Sequence, residues 1–137
     1  MRHGWIVVLA LSLAGCLASE SRTATWSYVH ATVIRPACTT AGCHSTLTAA
    51  AGLDLSSSDG AYTFLTGRIC GAEPLPQDAP RSYVVPGSAA SSQLVYQLRG
   101  ADDRGRPYRD VMPPDMPLPD VEVELVVAWI EDGARCE

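Results

Sequence analysis

A mainly α domain, small, with short helices and long Pro/Gly-rich loops, is the fold class that this sequence predicts, on three observations. Apolar residues recur at helical spacing in several separate segments, each closed by a glycine or proline stop. The 10 prolines and 11 glycines gather largely between those segments. About 120 residues remain once an N-terminal export segment is set aside, enough for one domain with a modest core.

The N-terminus reads first. MRHGWIVVLALSLAGC has a positive start at Arg2, an apolar run from Trp5 to Leu13 and small residues before Cys16. The run falls well short of the roughly 20 apolar residues of a spanning helix, so residues 1–15 are expected to be an export signal. Leu13-Ala14-Gly15-Cys16 resembles the lipobox of bacterial lipoproteins, which implies cleavage before Cys16, lipidation of Cys16 and a membrane anchor. Leu17 after the cysteine implies, in that family, the outer membrane, with the domain facing the periplasm or the cell surface. The plainer alternative is a soluble secreted protein with a cysteine at the cleavage site. Residues 16–25 are small and polar enough for a tether, which leaves residues 26–137 as the domain.

Along that domain, Trp26, Val29, Val33 and Ile34 form the stripe of a first helix, which Pro36 is expected to end. Ser58 or Asp59 is expected to cap a second helix through Tyr62, Phe64 and Leu65 that stops at Gly67. Residues 71–87 carry Pro74, Pro76, Pro80 and Pro86 and read as loop. A third helix follows Ser88, with Leu94, Val95 and Leu98 on one face and Gly100 at its end. Asp120 is expected to cap the last, whose buried stripe is Leu125, Val126, Trp129 and Ile130 before Gly133. Between these two lies a loop of roughly 20 residues without periodicity, a length that in a small domain points to function or disorder. So few short helices bury little apolar surface, so a cofactor or crosslinks are expected to add to the core.

A formal charge of −5 without a basic stripe excludes a phosphate-neutralising surface, so no nucleic-acid partner is expected. No nucleophile elbow, framed carboxylate pair or phosphate-binding glycine loop appears either, and the chain is not expected to be an enzyme. The chemistry concentrates instead in CTTAGCH, residues 38–44. Export places Cys38, Cys43, Cys70 and Cys136 in an oxidising compartment, where they pair with one another, a metal or a cofactor.

Three chemistries compete for this motif. A Cys pair followed at once by His is how c-type haem is attached, with the imidazole as iron ligand. Here Cys38 and Cys43 would bind the cofactor and His44 the metal. Four residues separate the cysteines where two are usual, and five helical steps would set them about 140° apart, so the segment must loop, with Gly42 allowing it. Zinc would take Cys38, Cys43 and His44 with Cys70 or Cys136. Disulfides alone allow three pairings among which the sequence does not choose, Cys38 with Cys43 and Cys70 with Cys136 being one arrangement.

Pro86-Gly87, Ser92-Gln93-Leu94, Leu98-Arg99-Gly100, Met112-Pro113-Pro114 and Trp129-Ile130 with Gly133-Ala134 occur in that order. With CTTAGCH, the series resembles the planctomycete-type cytochrome c-like domain of bacterial secreted proteins, from about Tyr28 to Ala134. The resemblance implies covalently attached haem c, His44 and Met112 as axial iron ligands, and redox partner proteins of the envelope. Met116 and His30 are the alternative sixth ligands. It implies that Trp129 packs the final helix near haem, and it leaves Cys70 and Cys136 as a disulfide. The function expected is a lipid-anchored carrier of single electrons. The alternative is a haem-free, disulfide-stabilised or metal-binding envelope lipoprotein that serves as an interaction module.

Overall fold

A computed structural model of the chain describes residues 24–72 and 83–137. The expected signal at 1–15, Cys16, most of the tether and Pro74, Pro76 and Pro80 lie outside the described residues. The molecule is mainly helical, and among the described residues no strand forms; a single bridge joins Ala101 and Pro107. No described helix is long and apolar enough to cross a membrane.

The first helical run is longer than Pro36 alone suggests. It passes through α1 (Trp26–Val29), a π-helical turn (His30–Ile34) and α2 (Arg35–Cys38), so Pro36 lies inside it and the expected stop there is corrected. A proline ring inside a regular helix clashes with the carbonyl four residues back, and Pro36 has no N–H to offer. The wide turn just before it, closed by the Arg35 N–H on the His30 carbonyl, makes room for the ring. The run can therefore continue and deliver Cys38 at its end. Thr25 caps its start, its hydroxyl accepting from the Tyr28 N–H.

Helix α3 (Ser58–Thr66) is capped by Ser57, one residue earlier than expected, whose hydroxyl accepts from the Gly60 N–H. Gly67 ends it at φ 68°, a left-handed position that glycine takes without strain. A 3-10 turn (Ala89–Ser91) precedes α4 (Gln93–Arg99), so Ser88 lies a turn upstream of the helix rather than capping it. Helix α5 (Asp120–Glu131) follows Pro119, which makes Asp120 its first residue rather than its cap. Its buried face is Val123, Val126, Trp129 and Ile130; Leu125 is only partly buried.

Helix α5 packs against α1 and α4. At the centre the indoles of Trp26 and Trp129 lie 4.9 Å apart, with Tyr62 edge-on to both. Buried aromatic rings need partners for their polar tips. The C-terminal segment supplies most of them: Trp129 Nε1 donates to the Arg135 carbonyl at 2.7 Å and the Tyr62 hydroxyl to Ala134 at 3.0 Å. The Trp26 backbone N–H donates to Glu137, and a Cys70–Cys136 disulfide fastens this strap to the end of α3's loop. A crosslink, one of the two additions that the short helices call for, is therefore present, with Cys136 packed against the core and Cys70 exposed.

Candidate functional site

Helix α2 ends at Cys38, and the chain then turns back rather than continuing as helix. The His44 N–H reaches the Cys38 carbonyl at 3.0 Å, the Cys43 N–H reaches Thr40, and Gly42 takes φ 92°. The segment therefore loops, and Cys38, Gly42, Cys43 and His44 line one cleft of about 190 Å³ together with Ala50 and Ala51. Met112, Pro113 and Pro114 complete its wall. A second hollow of about 300 Å³ adjoins it, shares Cys38, His44, Ala51 and Met112, and is lined by Leu53, Leu55, Leu65, Leu94 and Leu98.

Both cleft cysteines carry free thiols, so a Cys38–Cys43 disulfide is not formed. Cys38 packs against the core, and burial, with Cys43 adding, pushes its thiol up to about 11. The Cys43 sulfur accepts a hydrogen bond from the Thr40 hydroxyl at 3.2 Å. His44 Nδ1 lies 3.0 Å from the Ala50 carbonyl. A carbonyl only accepts, so Nδ1 carries the proton, and in the neutral ring the Nε2 lone pair is left for a ligand. A backbone carbonyl bonded to the other ring nitrogen is what orients ligating histidines generally.

The carbonyl itself is aimed by unusual backbone. Ala49 and Ala51, on either side of Ala50, both have positive φ, at 44° and 56°. For residues with a Cβ this costs of order 1–3 kcal/mol each and persists only where surrounding contacts hold it. The Ala50 N–H donates to the Cys43 carbonyl and the Gly52 N–H to Ala49, which closes the turn against the motif. Reading residue types misses this segment, because Ala-Ala-Ala carries no sign of strain or of a bonding role. Only its place a few residues after His44 hints at it.

The Met112 N–H donates to the Gln97 carbonyl at 2.9 Å, which ties the long loop to α4. Met116 is 75% exposed and does not line the cleft. His30 is buried and also lies outside it. Its Nε2–H donates to the Leu55 carbonyl at 3.0 Å, and its ring packs 5.5 Å from the Trp26 indole. Trp129 does pack α5 into the core, but it is not among the cleft residues. Cys70 and Cys136, paired with each other, are removed as zinc ligands. Among the described residues no group of three or more His, Cys, Asp or Glu is arranged to hold a metal ion, and with Cys70 and Cys136 joined, the four-ligand zinc set expected from the sequence lacks its fourth member.

Part of the loop between α4 and α5 closes on itself, while Asp110 lines the second hollow. Asp102 accepts from the backbone N–H groups of Arg104 and Arg106 and pairs with the Arg106 guanidinium at 2.6 Å. These bonds, the Arg106 side chain's first, hold its carboxyl below the usual range.

Comparison with protein-family profiles, with curated proteins and with solved structures finds no match to this chain.

Proposed function

We propose that the chain is a c-type cytochrome-like electron carrier of the cell envelope, anchored through lipid on Cys16, with haem c joined to Cys38 and Cys43. One observation carries the reading: Cys38, Cys43, His44 and Met112, some 70 residues apart at the extremes, line a single cleft. The donor set fits such a group. Two unpaired thiols suit thioether attachment, His44 offers Nε2 because Nδ1 is engaged, and Met112, which carries a thioether, lines the same cleft. When bound, the haem iron would supply one-electron chemistry, and His/Met ligation would raise its potential relative to two histidines.

The residues of this chain would do the rest. Ala50 holds the His44 ring in one tautomer, while Leu53, Leu55, Leu65 and Leu98 give the adjoining hollow apolar walls beside the polar Gln93, Gln97 and Asp110. Ala37, Ala50 and Ala51 leave room for a flat ring system to approach the backbone. Redox proteins of the envelope are the partners this reading calls for.

A haem-free interaction module is the second reading. The aromatic core, the C-terminal strap and the Cys70–Cys136 bridge favour it, because none of them lines the cleft or needs an occupant. The visible spectrum of the denatured, pyridine-treated protein, after export from a host with the haem c attachment machinery, separates the two. A c-type spectrum that survives acid-acetone extraction is expected. A colourless chain, from a host that matures a control cytochrome, would reject the electron carrier.

A further inference from the structure

We infer that His30 is the positioning residue that holds the two halves of the CTTAGCH cleft in register, by tying the helix that carries Cys38 to the loop that carries His44. The inference rests on the proposed roles of those two residues and adds one for a side chain that touches neither.

The connection runs through a single residue, Leu55. Its N–H donates to the His44 carbonyl at 2.8 Å, and its own carbonyl accepts from His30 Nε2 at 3.0 Å. The Leu55 side chain is buried and lines the hollow beside the cleft. His30 thus reaches His44 through the backbone of one intervening residue. On its other side His30 opens the π-helical turn, where its carbonyl accepts from the Arg35 N–H. That turn admits Pro36 and carries the run on to Cys38. The same residue therefore anchors both approaches to the cleft.

Three features make the bond structural in effect rather than incidental. It is buried, His30 being only 6% exposed, so water does not replace it when it breaks. The Trp26 indole holds the ring in place 5.5 Å away. Packing against Trp26 does not by itself require a donor, yet the ring sets Nε2 on the Leu55 carbonyl. Wide π turns within α-helices also occur frequently at functional sites, where they redirect a helix face.

The test compares His30→Phe, which keeps the ring and removes the donor, with His30→Gln, whose amide N–H occupies a place similar to Nε2. Val126→Ala serves as a core-loosening control on α5. Hydrogen exchange is followed in the haem-free full chain. His30→Phe is expected to speed exchange at Leu55 and across residues 43–55 about tenfold more than elsewhere, and His30→Gln to restore most of the protection. Val126→Ala is expected to loosen the chain without that local excess. If His30→Phe does not fold, His30→Met, flexible and equally without a donor, replaces it. An even rise along the chain, or no rescue by glutamine, overturns the inference and leaves His30 as core packing.

In chain exported with the attachment machinery, His30→Phe is expected to broaden the visible spectrum while His30→Gln leaves it sharp. Because exchange is read without haem, absence of covalent haem would reject the functional reading while the exchange data still decide the role of His30.

Discussion

The Nδ1–H of His44 is bonded to the carbonyl of Ala50, six residues along, at 3.0 Å, and this one contact leaves Nε2 as the ring nitrogen with a free lone pair in the neutral ring. It pairs a side chain whose chemistry is evident with a backbone atom whose role is not. If Nε2 binds iron, His44→Ala should abolish the low-spin spectrum and lower stability by only about 1 kcal/mol, the worth of one hydrogen bond. Met112→Ala should keep covalent haem and lower the potential by on the order of 100 mV, within the ~0.8 V that axial ligands span. Absorption spectra and potentiometric titration check both; an unchanged potential in Met112→Ala would remove Met112 as a ligand.

The Cys38 thiol gives a pH dependence with a definite sign. In the haem-free chain it ionises near 11 when folded and at 9.0 without the fold. Between those values the folded state holds the proton that the unfolded state has lost, so stability is complete below pH 9 and falls as pH rises to 11, by about 2 kcal/mol. Urea unfolding at pH 8, 9.5 and 11 should show the decline, and Cys38→Ala should flatten it. A slope that persists in Cys38→Ala would assign the effect to another group.

The Cys70–Cys136 bridge closes a loop with a sequence separation of 66. Replacing both cysteines by serine should cost about 4 kcal/mol, chiefly by freeing the unfolded chain. Denaturant unfolding with and without reductant measures it. A loss below about 1 kcal/mol would mean that the hydrogen bonds of residues 133–137 hold the strap unaided.

Gly100 ends α4 at φ 66°, and a Cβ placed there would meet Val111 Cγ2 at 3.4 Å. Gly100→Ala should cost about 1 kcal/mol or more for the left-handed backbone. At 3.4 Å the added carbon makes ordinary van der Waals contact, so Val111 and Met112 should keep their places. Thermal unfolding reads the lost stability and the spectrum of the loaded chain the position of Met112; a shifted spectrum would mean that strain at residue 100 reaches the loop.

Much of the helical layout is legible in residue order. Trp26, Val29, Val33 and Ile34 are all buried at the helical positions their spacing implies, as are Val126, Trp129 and Ile130. Helix ends are read less well. Ser57 rather than Ser58 caps α3, because the cap belongs to whichever hydroxyl reaches the orphan N–H, and neighbouring serines look alike. Pro36 misleads for a subtler reason: the rule that it stops a helix assumes regular geometry, and the π turn before it removes the clash on which the rule rests.

What residue order settled here is local: the helical stripes, the glycine stops and the adjacency of Cys43 to His44, each governed by sterics and bonding within a few positions. Tertiary structure decided the rest: that Met112 rather than Met116 reaches the cleft, that Cys70 pairs with Cys136, that the Ala50 carbonyl meets the His44 ring, and that His30 bonds the carbonyl of Leu55. Those outcomes join residues far apart in the chain or turn on backbone direction. They depend on how the whole core closes, and no short window of sequence carries that energy.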